Sequence, residues 1–221
     1  MQLGLLFVDE LRGFYKSKVM IFLWIGLPVI ALLFRFISAE SSGQTIPFTL
    51  ISALVVSSIG GTLASVMLAV FIINEKNRHV YDLFLIRPLK RRDILLAKFF
   101  SVYTCVAIAA FFAVLAGMVT DYATTGALPA TILTNAGESL ATSLSMIAVA
   151  CSAGVLIGVA APSVLVGAIL VIYGGNQISV IPLVPTLLNL PDATVFTIVL
   201  AGAVALGLLV ASIALFNRKQ F

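Results

Sequence analysis

The residues that could do chemistry are the charged ones, and they concentrate in residues 74–98, NEKNRHVYDLFLIRPLKRRDILLAK. Seven of the 13 Lys and Arg residues of the 221-residue chain lie there. This stretch offers ion pairing rather than catalysis, because its one histidine, His79, has no second metal ligand nearby and no nucleophile–base pair stands out. The chain also lacks the G-x-x-x-x-G-K-[ST] phosphate loop. It is therefore predicted to be no enzyme and to hold no cofactor itself.

Composition indicates that lipid, not water, surrounds most of the chain. Hydrophobic residues make up 61% and charged residues 10%, with a mean hydropathy of +1.17. A soluble domain would carry about 25% charged residues. The net charge of +4 is assigned to membrane orientation rather than to nucleic acid, because no basic helix with interleaved aromatic residues is predicted outside residues 74–98. Cys105 and Cys151 fall inside apolar runs and are predicted to be small buried hydrophobic residues.

Six apolar runs are long enough to cross a bilayer, which takes about 20 helical residues. Lipid cannot satisfy free backbone groups, so these runs must be helices. The predicted fold is one all-α integral membrane domain over residues 1–221. Its spans are placed at Val19–Phe36, Ile46–Ile73, Phe99–Thr120, Leu140–Ala161, Ser163–Ile181 and Val195–Phe216.

The charge distribution predicts the orientation of these spans. With the N-terminus inside, the inner side holds all the Lys and Arg residues except Arg35. Positive residues favour the cytoplasmic side, so both termini are predicted to face the cytoplasm from a multi-pass position in the cytoplasmic membrane. Residues 74–98 then form the one large cytoplasmic loop. The second span is long, about 42 Å against about 30 Å of hydrocarbon, so it must tilt or project into the cytoplasm.

The N-terminal segment, residues 1–18, carries apolar residues at helical spacing, with charged residues on another side. This pattern predicts an interfacial helix that lies on the inner leaflet. A plain positively charged leader is the alternative. The apolar residues are Leu3, Phe7, Leu11 and Phe14, and the charged ones are Asp9, Arg12 and Lys16.

The charged loop is predicted to contain a helix, a corner and a second helix. Glu75 to Ile86 can continue the second span, and Pro88 ends that helix. A second helix can begin near Lys90, with Asp93 favourable in its first turn, and lead straight into the third span. This arrangement indicates a docking element for a cytoplasmic partner. An orientation loop contacting lipid headgroups would explain the charge but not the apolar cluster around Leu83.

The same loop resembles the one between the second and third spans of ABC-2 type permeases, the membrane subunits of a class of ATP-driven exporters. His79-Val80 departs from that family's Gly-Thr, and Ala97 replaces its Gly. The six-span plan, the amphipathic N-terminal helix and the long second span extend the resemblance over the whole chain. The matching residues are Glu75, Lys76, Asp82, Leu83, Phe84, Leu85, Pro88 and 93–98.

The resemblance implies a division of labour between subunits. The loop would sit in a groove of a separate ATP-binding-cassette subunit, which binds ATP and Mg. A second permease chain, identical or related, would complete the transporter. Export is the implied direction, and the haem-exporter membrane subunit is a close variant. The implied docking residues are Glu75, Lys76, Arg78, Asp82, Leu83, Phe84, Leu85 and Pro88, with Glu75 and Lys76 or Arg78 forming salt bridges at the joint.

Two alternatives from other classes are a passive channel and a membrane-anchoring subunit without transport. The spans carry no ionisable residue at mid-membrane, which argues against an ion-coupled carrier. Asn176 and Gln177 follow Gly174-Gly175 in the outer half of the fifth span. They are predicted either to line an outer gate or cargo path, or to make hydrogen bonds between helices.

Small residues recur every four positions in three spans. Such stripes predict close helix packing within the chain, with a dimer seam as the alternative. They are Ser57, Gly61, Ser65 and Ala69 in the second span, Ala150, Gly154 and Gly158 in the fourth, and Ala203, Gly207 and Ala211 in the sixth.

Overall fold

The computed structural model describes residues 2–15, 18–39, 48–78, 91–125, 130–188 and 193–218. Nearly all of these residues are helical, and none of them lies in a β-strand. The predicted all-α fold is therefore confirmed. Five helical stretches are long and apolar enough to cross a membrane, which is compatible with a multi-pass membrane protein.

Ten α-helices make up the described chain. The helices are α1 Gln2–Tyr15, α2 Lys18–Ala39, α3 Phe48–Val55, α4 Gly61–Asn77, α5 Arg91–Thr125, α6 Ala130–Ala160, α7 Val164–Leu170, α8 Asn176–Ser179, α9 Val184–Leu187 and α10 Ala193–Arg218. π-helical turns at Val56–Gly60 and Val171–Gly175 connect α3 to α4 and α7 to α8, and a 3-10 turn at Ile181–Leu183 precedes α9.

The five long apolar stretches correspond to the second through sixth predicted spans. The first predicted span lies in α2, where the described apolar stretch is Leu23–Leu33 and therefore shorter. As predicted, the helix that begins near Lys90 leads without a break into the third span, because α5 is one helix of 35 residues. The stretches are Ile51–Asn77, Arg92–Ala123, Leu133–Ala160, Val164–Leu187 and Ala193–Arg218.

Two predicted helix ends were wrong. α6 begins at Ala130, ten residues before the predicted start of the fourth span, because polar residues such as Thr and Asn permit a helix although they disfavour lipid. The fifth span continues through Leu187 instead of ending at Ile181. Pro182 and Pro185 do not break it, since each lies at the start of a short helical segment, where no backbone N–H is needed.

The core of the bundle lies around α6, which packs against α4, α5 and α10. Cys105 of α5 and Cys151 of α6 are both buried in it, as predicted. Trp24 of α2 adds a polar contact between helices, because its Nε1–H donates to the carbonyl oxygen of Cys105 over 3.1 Å. α2, α4, α5 and α6 supply most of the large buried side chains, among them Leu27, Leu68, Ile72, Leu95 and Ile147.

The small residues of the second and fourth spans face each other across α4 and α6. A Cβ added to Gly154 would lie 2.6 Å from the carbonyl oxygen of Ser65, and one added to Gly158 would lie 3.0 Å from the Cα of Ala69. Only glycine allows backbones to approach so closely. These two stripes therefore serve packing within the chain, and the alternative of a dimer seam does not apply to them.

The third stripe behaves differently. Ala203, Gly207 and Ala211 all lie on the exposed side of α10, and a Cβ added to Gly207 would meet nothing within 4 Å. The prediction of close packing within the chain is therefore wrong for this span. Large apolar residues such as Leu206 and Val210 share the exposed side.

The predicted N-terminal helix is present as α1, which ends at Tyr15 and packs against α5. Leu6 and Leu11 rest on the hydrophobic core, while Asp9 and Arg12 are exposed. One side of α1 therefore belongs to the bundle.

Candidate functional site

The charged side chains at the meeting point of α1, α4 and α5 form the candidate site. We call Glu10, Glu75, Lys76 and Lys98 the charged junction. Glu10 lies on α1, Glu75 and Lys76 lie in the last turn of α4, and Lys98 lies in the second turn of α5. Residues 79–90 of the loop connect α4 to α5 but lie outside the described residues.

Lys98 is the centre of the junction. Its Nζ donates hydrogen bonds over 2.6 Å to Glu10 Oε1 and over 2.6 Å to Glu75 Oε1. The Lys98 side chain is only 5% exposed, whereas the two carboxylates are 30% and 25% exposed. A buried ammonium is tolerable only when it is paired, so the two carboxylates are what allows Lys98 to lie inside the bundle. One lysine therefore holds together helices that are far apart in sequence.

The charged junction holds two carboxylates and two ammonium groups, so its formal charges balance. Glu75 Oε2 is buried and has no hydrogen-bond partner among the described residues. An ammonium has three donors, and the two carboxylates accept two of them. Glu75 Oε2 could therefore accept one further hydrogen bond.

Lys76 connects the same turn of α4 to another part of the bundle. Its Nζ donates to the carbonyl oxygen of Ala161 over 3.2 Å. Ala161 follows the last residue of α6, where the helix carbonyls are free and the helix dipole favours a positive charge. Ser163 begins the next helix, since its side chain accepts from the N–H of Val166. Glu75 thus links the end of α4 to α5 and, through Lys98, to α1, and Lys76 links it to the α6–α7 turn.

The structure places only some of the predicted docking residues. Glu75 and Lys76 are half-buried and make contacts within the chain, and Arg78 is exposed at the end of α4. The helix predicted to continue from Glu75 is present as far as Asn77. The remaining docking residues, Asp82, Leu83, Phe84, Leu85 and Pro88, lie outside the described residues, as does His79.

Sequence reasoning missed two members of the junction. Glu10 is not among the predicted site residues, and Lys98 enters only as a positive charge of the loop and as the last residue of the 93–98 match. A spacing signal was present, because Lys98 lies four residues after Ile94 and four before Val102, and both are buried. A lysine on the buried side of a helix needs an acidic partner.

The amides predicted in the fifth span, Asn176 and Gln177, directly follow the π-helical turn Val171–Gly175. Gly174 and Gly175 are the last two residues of that turn. Asn176 is half-buried and Gln177 is exposed. Neither amide side chain makes a hydrogen bond with another described residue.

A second polar contact joins the other ends of the spans. The N–H of Thr49, near the start of α3, donates over 3.1 Å to Oδ2 of Asp121, near the end of α5. A carboxylate at this position stabilises the free N–H groups of the helix and its dipole. This contact holds α3 against α5 and is assigned to the fold rather than to function.

Comparison with known proteins adds no further assignment. No protein-family model matches the chain, and no curated protein matches it significantly.

Proposed function

We propose that the chain is the membrane subunit of an ABC-2 type exporter. Six spans would place both termini and the charged junction on the cytoplasmic side of the cytoplasmic membrane, with α1 on the inner leaflet. A separate ATPase subunit would bind ATP and Mg and would dock on residues 74–98. A second permease chain would complete the transporter, and Asn176 and Gln177 would lie on the cargo path.

The charged junction is the observation that supports this proposal most. An ATPase outside the membrane can drive transport only if it displaces helices of the membrane subunit as well as the loop on which it docks. Glu75 is bonded to Lys98 of α5, which also binds Glu10 of α1, and Lys76 is bonded to the α6–α7 turn. Both residues lie directly before the loop, so a displacement of the loop would reach α5 and the α6–α7 turn directly and α1 through Lys98. Such coupling requires that the contacts at the charged junction differ between the two states of the ATPase.

Continuous helices would carry that displacement across the bilayer. The stretch 48–77 is unbroken and α5 is one helix, so both helices that flank the loop run the full depth of the bundle. At 1.5 Å per residue, the 35 residues of α5 extend about 52 Å, well beyond the hydrocarbon thickness of about 30 Å.

The test is purification of the tagged chain from its native host in mild detergent, with mass spectrometry of the proteins that accompany it. We expect an ATP-binding-cassette ATPase in stoichiometric amount. Replacing Leu83 and Leu85 by Ser should release the ATPase and leave the yield of the chain unchanged. Leu187→Ser is the matched control, because Leu187 is 72% exposed and is the last residue of the fifth span, whose start lies near Lys76.

The opposite result would remove the main support of the proposal. A chain that purifies alone, even after gentle cross-linking, would favour a passive channel or an anchoring subunit. A channel would conduct without ATP, whereas an anchor would retain a cytoplasmic protein that is not an ATPase.

A further inference from the structure

The fifth span changes its packing partner at the π-helical turn Val171–Gly175. Before the turn, α7 packs mainly against α4. After the turn, α8 packs mainly against α6, and α9 packs against α10. The N–H of Asn176 closes the turn by donating to the carbonyl oxygen of Val171, five residues earlier. Such turns interrupt the regular hydrogen bonds of a helix, and helices bend at them.

α7 is attached to the bundle at few points. Three non-helical residues, 161–163, separate it from α6, and Gly167 is its only buried residue. Its large side chains are exposed, Leu165 to 70% and Ile169 to 48%. A Cβ added to Gly167 would overlap Cδ1 of Ile73, so α7 lies directly against the last turns of α4. The seven residues of α7 therefore form a short arm that is attached mainly to α4.

The π-helical turn of the second span, Val56–Gly60, provides the contrast. A Cβ added to Gly60 would lie 3.1 Å from Cδ1 of Leu27 and 3.4 Å from Cγ1 of Val106, so neighbouring helices enclose that turn. At Gly174, in the turn of the fifth span, an added Cβ would meet nothing within 4 Å. Glycine also gives the backbone the most conformational freedom. The turn of the fifth span therefore has room to bend, whereas its neighbours hold the turn of the second span.

We propose that Val171–Gly175 is a hinge about which α7 moves together with the last turns of α4, while α8 and α9 stay on α6 and α10. A hinge consists of a few residues that absorb a change of backbone angles between two bodies. This hinge lies directly before Asn176 and Gln177, so its angle would regulate access to the proposed cargo path. The inference rests on the proposed function and deepens it, since the loop after α4 is where an ATPase would act.

Two contacts connect the arm α7 to the charged loop. Gly167 lies against Ile73, and Lys76 Nζ donates over 3.2 Å to the carbonyl oxygen of Ala161, three residues before α7 begins. Lys76 lies in the last turn of α4, close to the start of the undescribed part of the loop. A displacement of the loop would therefore move α7 with α4, and the π-helical turn would absorb the change of direction.

Distances between paired spin labels test the proposal. Leu165→Cys on α7 and Leu187→Cys on α9 are each combined with Leu206→Cys on α10. The labelled chain is purified from its native host in mild detergent and measured by double electron–electron resonance. These positions are 70%, 72% and 65% exposed, whereas Cys105 and Cys151 are only 3% and 0% exposed, so the parent chain is a suitable blank. We expect the distribution of Leu165–Leu206 distances to be wider than that of Leu187–Leu206 distances.

A double variant stiffens the hinge without steric conflict. Gly174→Ala combined with Gly175→Ala adds Cβ atoms that come no closer than 3.6 Å to a neighbour. Each alanine favours the regular helix about fivefold over glycine, so the bent population should fall roughly 20-fold and the wider distribution should become narrow. Gly137→Ala combined with Gly202→Ala is the matched control, because both are helical glycines with nothing within 4 Å of an added Cβ. Equal widths in the parent, or no narrowing in the hinge variant, would overturn the proposal.

Addition of Mg-ATP to the same preparation separates this inference from the proposed function. If an ATPase co-purifies, ATP should shift the Leu165–Leu206 distance and leave the Leu187–Leu206 distance unchanged, and absence of that shift would overturn the coupling of the hinge to the loop. A wide Leu165–Leu206 distribution in a chain that purifies alone would support the hinge and remove the exporter proposal. An ATPase that co-purifies with a chain whose Leu165–Leu206 distribution is narrow would leave the exporter proposal standing and remove the hinge.

Discussion

Gly154 of α6 lies directly against the backbone of Ser65 in α4. A Cβ on Gly154 would stand 2.6 Å from the Ser65 carbonyl oxygen and 2.7 Å from its Cα, and neither atom can move without moving the helix. Gly154→Ala should therefore lower the free energy of unfolding by about 1–3 kcal/mol. Thermal unfolding in detergent, followed by size-exclusion chromatography, measures this loss of stability.

Gly207→Ala is the control for that substitution. Gly207 is also a helical glycine, but an added Cβ would meet nothing within 4 Å. Alanine is the better helix former by about 1 kcal/mol, so this variant should be at least as stable as the parent. Equal losses in both variants would show that the contact between α4 and α6 is not close in solution.

Lys98→Met should destabilise the protein by removing the cation that Glu10 and Glu75 share. The two carboxylates would keep their partial burial without a partner, which we expect to cost about 2 kcal/mol. Arg92→Gln is the control, because the Arg92–Asp93 pair has 3.4 Å between its atoms and Arg92 is 59% exposed. Its loss should change stability by less than about 1 kcal/mol. The same unfolding assay measures both.

A triple variant tests the cause of that loss. Lys98→Met combined with Glu10→Gln and Glu75→Gln removes all three charges and so leaves no unpaired ion. It should recover most of the stability lost by Lys98→Met alone, since an uncharged set of similar volume can replace a buried ionic cluster. A triple variant less stable than the single one would show that packing of the lysine stem, rather than charge, is what matters.

Glu10→Gln should loosen α1 while the rest of the bundle stays in place. Lys98 keeps Glu75 as its counter-ion, so only the link to α1 weakens, by about 1 kcal/mol. Hydrogen exchange in α1 should then be about fivefold faster. Asp9→Asn is the matched control on the same helix, because Asp9 is exposed. Equal exchange in the two variants would contradict a role for Glu10 in holding α1.

Asp121→Asn should weaken the start of α3. The N–H of Thr49 would keep only a neutral amide oxygen as its acceptor, and the helix would lose a negative charge near its N-terminus, together about 1 kcal/mol. Glu138→Gln, at an exposed position of α6, removes a carboxylate without such a bond and should leave the melting temperature unchanged. The thermal unfolding curves of both variants, compared with that of the parent, test this prediction.

Hydropathy was sufficient to place most helices because lipid demands long apolar runs. It failed at Ala130 and Leu187, since the ends of a helix depend on backbone hydrogen bonds and on breakers rather than on contact with lipid. The prolines illustrate this. Pro182 and Pro185 each begin a short helical turn where proline is tolerated, so the helix runs past the predicted end at Ile181.

The candidate site was predictable only in part. The resemblance at the charged loop singled out Glu75 as a salt-bridge residue, but it did not predict pairing with Lys98, because that contact depends on how α4 and α5 pack. The small-residue stripes show the same limit. Spacing predicted that Gly154 and Ser65 lie on contact surfaces, whereas their meeting, and the outward position of Gly207, depend on the arrangement of the helices.

The pairing of Glu10 with Lys98 also determines the order in which helices reach their final positions during synthesis. The two residues are 88 positions apart, so α1 has no ionic partner when it leaves the ribosome. At about 5–20 residues per second, roughly 4–18 s pass before Lys98 is made. During that interval α1 must rely on its apolar side for attachment. Its final position is therefore one of the later steps of assembly, fixed only when α5 is in place.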